Sequence, residues 1–248
     1  MSLAIDRDLL LRIEQAGVMA WPALETADLD GWLWRFSDGG SQRANSVSVL
    51  GYRGADVERS IDEAERRYRA RGVKPMFQVS DVSAPSDLEA RLVARGYRSN
   101  DTCTTLVKAC AQEANLNGIV YLERVTPEWF ACYSSVITPS RKRVAPQILE
   151  RIPNAGVFCG YQVEGRIVAT ALGVPHEGVI IAECVATLVE ARGKGAADRV
   201  MRGLEAWGAA RGCRHVALQA LVENTPAQAL YKSLGYREHG RYHLRIKD

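Results

Sequence analysis

The sequence predicts an α/β (α+β) protein of two similar domains, each a central sheet flanked by helices. Three observations carry this expectation. Strand-like and helix-like runs alternate along most of the 248 residues. The order strand, strand, helix, strand, helix, strand in the first half returns in the second. Two short motifs also recur at one offset. Arg53-Gly54 precedes Arg192-Gly193 by the same count of residues as Gly96-Tyr97-Arg98 precedes Gly235-Tyr236-Arg237.

In the first half, GWLWRFSDGG and RANSVSVLGYRG read as strands, DVERSIDEAERRYRARG as a helix and KPMFQVS as a strand. PSDLEARLVARGYRSNDTCTTLVK closes it as helix then strand. The polar stretch AQEANLNG (Ala111 to Gly118) suits a linker, so the expected domains are residues 1–115 and 116–248. TPEWFACYSSVITPSRKRVAPQILERI then holds two short helical patterns around a loop containing Arg141, Lys142 and Arg143. GVIIAECVATL (Gly178 to Leu188) is a continuous apolar run rich in β-branched residues, as in a strand buried on both faces. After it Val200, Met201, Leu204 and Trp207 recur at helical spacing, and Gly212 is a stop signal. HVALQAL reads as a strand, and Pro226 to Leu234 as a short helix stopped by Gly235.

Composition limits the function. With 47% hydrophobic and 25% charged residues the chain is that of an ordinary globular protein. Its 32 basic and 29 acidic side chains are mixed along the sequence, so no basic field speaks for nucleic acid or an anionic membrane. No run of 18 apolar residues occurs, and MSLAIDRDLL lacks the features of a signal peptide, which makes a cytoplasmic location the simplest expectation. The six cysteines are spread singly and the four histidines lack zinc-finger spacing, so reduced, mostly buried thiols and no metal are expected.

ARGKGAADR (Ala191 to Arg199) places two glycines at a strand-to-helix turn. The first turn of a helix carries unpaired N–H groups and the positive end of the dipole, which favours an anion by ~0.3 to 2 kcal/mol. Glycine lets the backbone approach the anion, and Arg192 and Lys194 add charge, so the expected ligand is a phosphate group. Gly195 follows Lys194 where the phosphate loop of nucleoside triphosphatases needs a hydroxyl residue, and Asp198 stands where a dinucleotide fold needs its third glycine.

Arg192-x-x-Gly195-x-Ala197 resembles instead the acetyl-CoA signature of the GNAT acetyltransferase superfamily, Gln/Arg-x-x-Gly-x-Gly/Ala. Asn224-x-x-Ala227-x-x-Leu230-Tyr231-x-x-x-Gly235-Tyr236 resembles its second signature with every position filled. The resemblance covers roughly residues 117 to 248 and implies a mixed, mostly antiparallel sheet. It implies that the backbone N–H groups of Arg192, Gly193, Lys194, Gly195, Ala196 and Ala197 hold the CoA pyrophosphate. It also implies that the main chain of the fourth strand, around Val185, Ala186 and Thr187, binds the pantetheine arm in a gap splayed open beside the fifth strand. Asn224 would hydrogen-bond near that arm. Tyr231 would act as general acid toward the departing thiolate, and a fourth-strand N–H would stabilise the oxyanion.

The acceptor amine needs a base, and Glu183 is the leading candidate because a carboxylate within IIAECVATL is costly unless paired or used. Glu223 is a weaker one. Regular alternation would put Glu183, Val185 and Thr187 on one face and Cys184 on the other, which disfavours a cysteine-linked ping-pong route. The family's acceptor segment corresponds to Thr126 to Ile152. There Arg141, Lys142 and Arg143 either meet an acidic group of a substrate or the CoA 3′-phosphate, or are solvated surface charge. Trp129, Phe130 and Tyr133 either line the pocket or belong to the core.

The repeat register puts Asp56 where Gly195 stands and Leu92 where Tyr231 stands. A carboxylate repels a pyrophosphate and leucine carries no proton, so the first domain is expected to be a degenerate, non-catalytic copy. Its expected work is packing, walling the acceptor cleft, or forming a homodimer. Arg43-Ala44-Asn45-Ser46 either faces that cleft or is a plain hairpin turn. The expected activity is acetyl-CoA-dependent N-acetylation of a small-molecule or protein amine by direct transfer. The rival from another class is an acyl-CoA-binding sensor without catalysis.

Overall fold

The computed structural model describes residues 6–111 and 113–248. Of the sequence features above, the first five residues and Gln112 of the linker lie outside this range. Asp6 accepts hydrogen bonds from the N–H groups of Asp8 and Leu9 and so starts α1 (Arg7–Ala20), whose Leu9, Leu10, Ile13, Ala16 and Ala20 are buried. This helix, and strand β1 (Glu25–Leu29), were not expected from the sequence. β2 (Trp32–Phe36), β3 (Val47–Ser48), α2 (Val57–Ala70), β4 (Met76–Ser80), α3 (Leu88–Ala94) and β5 (Arg98–Ala109) follow in the expected order.

The second half runs β6 (Ile119–Leu122), α4 (Pro127–Ser134), α5 (Pro139–Leu149), β7 (Val157–Val163), β8 (Arg166–His176) and β9 (Val179–Thr187). It ends with α6 (Ala196–Ala209), β10 (His215–Leu221), α7 (Thr225–Ser233) and β11 (Arg237–Ile246). Thr126 and Thr138 cap α4 and α5, and each is followed by proline, a pairing that fixes where these helices begin. The offset read from the motifs also relates the first residues of α2 and α6, of β4 and β10, and of β5 and β11.

One expectation about the sheets is corrected. The strands assigned to two domains form a single eleven-stranded sheet, in the order β1-β2-β3-β4-β11-β5-β10-β9-β8-β7-β6. Each half sends its last strand into the other: β11 pairs with β4, β5 pairs with β10, and the two exchanged strands pair with each other. All edges at the middle are thereby satisfied. A division between residues 115 and 116 consequently does not divide the sheet. Pairing is antiparallel except for β3 with β4 and β9 with β10.

Among the described residues three large apolar clusters cover the sheet, beside a small one of Met76, Leu244 and Ile246. Trp32, Trp34, Ile61, Phe77 and Leu92 form the first-half core under α2 and α3. Val200, Met201, Leu204 and Tyr231 pack α6 and α7 on one face of the second half. On its other face lie Trp129, Tyr133 and Ile148 from α4 and α5, joined by Ile13 of α1, which packs across β8 and β9. Among the described residues no helix is long and apolar enough to cross a membrane.

Candidate active site

β9 and β10 are parallel neighbours only as far as Ala182 and Leu218. Beyond that point β9 follows β8, to the pair Thr187 with Ala169, while β10 follows β5, to the pair Leu221 with Cys103. The two strands separate because each stays with its other partner. Glu183 to Thr187 therefore face a gap, and this gap is part of a cleft of about 1220 Å³ that also includes the Gly193–Gly195 turn, Asn224 and Tyr231.

At the turn, Gly193 and Gly195 adopt φ of 70° and 77°, values that exclude most side chains, and the space beside both is open. The first helical bond of α6 runs from Arg199 N–H to the Gly195 carbonyl, 3.0 Å. The N–H groups of Ala196, Ala197 and Asp198 thus have no carbonyl one turn back and are free for an anion. Of the amides that the resemblance implied, that of Arg192 is used within the fold, where it donates to the Val189 carbonyl at 3.2 Å. The Arg192 side chain leans on the Thr187 carbonyl, and the Lys194 side chain is exposed.

The expected alternation along β9 fails at Cys184. This residue has φ 53° and forms a bulge, two residues of β9 facing one of β8, with its carbonyl held by Thr170 Oγ1 at 3.0 Å. Cys184 consequently packs with Trp21 and Tyr133 on the α4–α5 face, beside Glu183, whereas Val185 packs with the Tyr231 cluster. Glu183, Val185 and Thr187 do not share a face, and the geometric reason for setting Cys184 aside does not hold. A different one applies. Burial pushes the Cys184 thiol up to about 12, so it stays protonated and is a poor nucleophile.

Glu183 Oε1 accepts from Arg43 Nη2 at 2.5 Å, and both side chains are largely buried. Arg43–Asn45 is a short 3-10 turn, so Arg43 faces the cleft rather than sitting in a hairpin. Glu223 is exposed and does not line the cleft. Tyr231 is 7% exposed, stacked edge-on with Tyr236 at 5.8 Å. Burial, then the charge of Glu183, hold its phenol above the usual range, so it keeps its proton at neutral pH. Asn224 caps α7 through Oδ1, which accepts from Ala227 N–H at 3.3 Å.

The basic triplet lies inside α5, not in a loop. Arg141 stacks over the Trp21 ring at 4.3 Å and donates to the Tyr133 hydroxyl at 2.8 Å. Arg143 donates to the Asp38 carbonyl, and Lys142 is exposed. Only Arg141 of the three lines the cleft. Among the aromatic candidates Tyr133 lines it, while Trp129 is core with its indole N–H on the Cys159 carbonyl at 2.9 Å, and Phe130 packs at the edge of that core.

A family model described as probable histone acetyltransferase Rv0428c C-terminal matches residues 10–245. The chain belongs to this family. This GNAT-type acetyltransferase is 29% identical to the uncharacterized N-acetyltransferase YobR of Bacillus subtilis (strain 168), over 97% of the chain and 99% of YobR. Its fold matches a GCN5-related N-acetyltransferase from Kribbella flavida with a TM-score of 0.70 at 15% identity, covering 96% of this chain and 95% of that one. It also matches a tandem GNAT protein from the clavulanic acid biosynthesis pathway with a TM-score of 0.64 at 14% identity, covering 95% and 87%.

Behind the cleft the acetyltransferase holds a residue that the sequence reading missed. Glu14 of α1 is 1% exposed. It accepts from Gln219 Nε2 at 2.8 Å, from Gln78 Nε2 at 3.2 Å and from Thr105 Oγ1 at 3.3 Å. A glutamate among Leu10, Ile13, Gly17 and Ala20 at helical spacing was the available signal. Burial raises Glu14 from 4.5 to about 7, against the opposing effects of Thr105, Arg43, Gln78 and Arg35. The folded state then binds this proton more tightly than the unfolded state. Stability contributed by the proton is complete below pH 4.5 and is lost as pH rises toward about 7, a change on the order of 3 kcal/mol. Urea denaturation at pH 5 and pH 7.5 should show this fall, and Glu14→Gln should flatten it whatever its effect on the baseline.

Proposed function

We propose that the chain acetylates a primary amine, on a small molecule or a protein, by direct transfer from acetyl-CoA within a ternary complex. The supporting observation is that one cleft contains the open helix terminus, the separated edge of β9, a carboxylate and a protonated phenol. The free amides of Ala196 to Asp198 and the open space beside Gly193 and Gly195 fit a pyrophosphate. The cleft-lining main chain of Val185, Ala186 and Thr187, unpaired with β10, fits an extended pantetheine arm, with Asn224 at the rim.

Acetyl-CoA, when bound, supplies a thioester already activated toward amines. The chain's own groups do the rest. Glu183 Oε2 receives the proton that an ammonium must lose, while Arg43 holds the other oxygen. The Tyr231 hydroxyl donates toward the leaving sulfur. The protonated, buried Cys184 supports direct transfer over a thiol-linked intermediate.

In this reading the first half is a non-catalytic copy of the second. Asp56 caps α2 by accepting from Arg59 N–H at 3.1 Å, filling the helix terminus that Gly195 leaves open. Leu92 is fully buried in the first-half core. The test is to incubate the purified chain with acetyl-CoA and a panel of primary amines and peptides. Thiol release matched by acetylated amine in mass spectra is expected. CoA binding without transfer to any member of a broad panel would count against it.

A further inference from the structure

Arg43 belongs to the first half, between β2 and β3, yet its guanidinium lies in the cleft of the second. Nη2 donates to Glu183 Oε1 at 2.5 Å and Nη1 to Gln219 Oε1 at 2.9 Å. The Arg43 and Glu183 side chains are only 12% and 10% exposed. Burying two charges is expensive, and an apolar pair would hold the halves together as well or better. The place of the pair in the cleft points to a use other than holding the halves together.

The surroundings hold this guanidinium in place from the first-half side. Asn45 braces the adjacent loop by accepting from Ser37 N–H at 2.8 Å and donating to the Ser41 carbonyl at 2.6 Å. Ser46 Oγ donates to the Arg43 carbonyl and accepts from the buried Arg35. Gln219, the second acceptor for Arg43, is itself fixed by donating to Glu14. On the other side Glu183 stands immediately before the Cys184 bulge, where β9 leaves β10, and its Oε2 has no partner among the described residues. The carboxylate therefore takes its orientation from Arg43.

We propose that Arg43 is a positioning residue that fixes the Glu183 carboxylate with one oxygen toward the acceptor amine, so that the degenerate half completes the active site of the other. This rests on the reading of Glu183 as proton acceptor. The halves are then functionally inseparable, although only one binds the cofactor.

The test compares Arg43→Met, Arg43→Lys, Glu183→Gln and the double variant Arg43→Met/Glu183→Gln in the full chain. Thiol release at saturating acetyl-CoA is measured alongside CoA affinity. Arg43→Met is expected to lower kcat about tenfold or more and leave the CoA Kd within about twofold. Arg43→Lys should recover part of kcat, and the double variant should be no slower than Glu183→Gln alone. Equal kcat for Arg43→Met and wild type overturns the assignment, as do multiplicative losses in the double variant. If Arg43→Met does not fold, Arg43→Lys with Glu183→Gln supplies the same cycle, and full activity of Arg43→Lys combined with an unaffected Glu183→Gln is again a negative result. A wild-type chain that binds CoA but releases no thiol with any amine sinks the proposed reaction and this assignment together. An active wild type indifferent to Arg43 sinks this assignment alone.

Discussion

Gly195→Asp is expected to weaken CoA binding by about ten-thousandfold, the largest single effect among the substitutions at this site. Two physical terms combine. Gly195 sits at φ 77°, a left-handed conformation that costs an ordinary residue roughly 1–2 kcal/mol. A carboxylate about 4 Å from a phosphate charge is opposed by on the order of 4 kcal/mol near a protein surface, and each ~1.4 kcal/mol is tenfold in affinity. The fold should survive, because Asp is a favoured helix cap, as Asp56 is for α2 at φ −134°. The turn before α6 would have to adopt that extended form. Isothermal titration with CoA, together with thermal melts, checks both halves of the statement. Gly195→Ala separates the terms, since it carries the backbone strain without the charge and should fall between the two. Retained nanomolar-to-micromolar CoA binding by Gly195→Asp would place the pyrophosphate elsewhere.

Tyr231→Phe is expected to lower kcat by about a hundredfold while changing CoA affinity by less than about twofold. The ring is part of the α6–α7 core and stacks on Tyr236, and phenylalanine keeps both contacts. What is lost is one hydroxyl whose proton is retained across the neutral range by burial and by the nearby Glu183 charge. A loss confined to kcat marks an interaction made only as the reaction proceeds. Steady-state thiol release at several acetyl-CoA concentrations gives the split. Unchanged kcat with a true acceptor would remove Tyr231 from the chemistry and leave it as packing.

The parts of this site that could be read in advance are local ones. Val200, Met201, Leu204 and Trp207 announce α6; the first three are among its buried residues and Trp207 is partly buried. Pro226 and Gly235 bracket α7. Gly193 and Gly195 announce a turn that needs positive φ, and both have it. What escaped depends on distant parts of the chain. Alternation cannot reveal the bulge at Cys184, because the left-handed residue is a cysteine, and the Thr170 hydroxyl that holds it comes from β8. The partner of Glu183 lies 140 residues earlier. α1 passed unnoticed even though its Asp6 cap and apolar spacing are visible in the sequence, and with it went Glu14. The exchange of β5 and β11 leaves no trace in either strand, since each would read alike in its own half or the other.

That exchange also has a consequence for how the chain is made. Among the described strands β11 leaves the ribosome after the other ten, yet it fills the fifth place in the sheet. Until it arrives β4 and β5 have a vacant slot between them, two bare edges open to mispairing with other nascent chains. Closing that slot joins residues far apart in the chain, a slow kind of contact to form. β11 thus enters the sheet as its keystone.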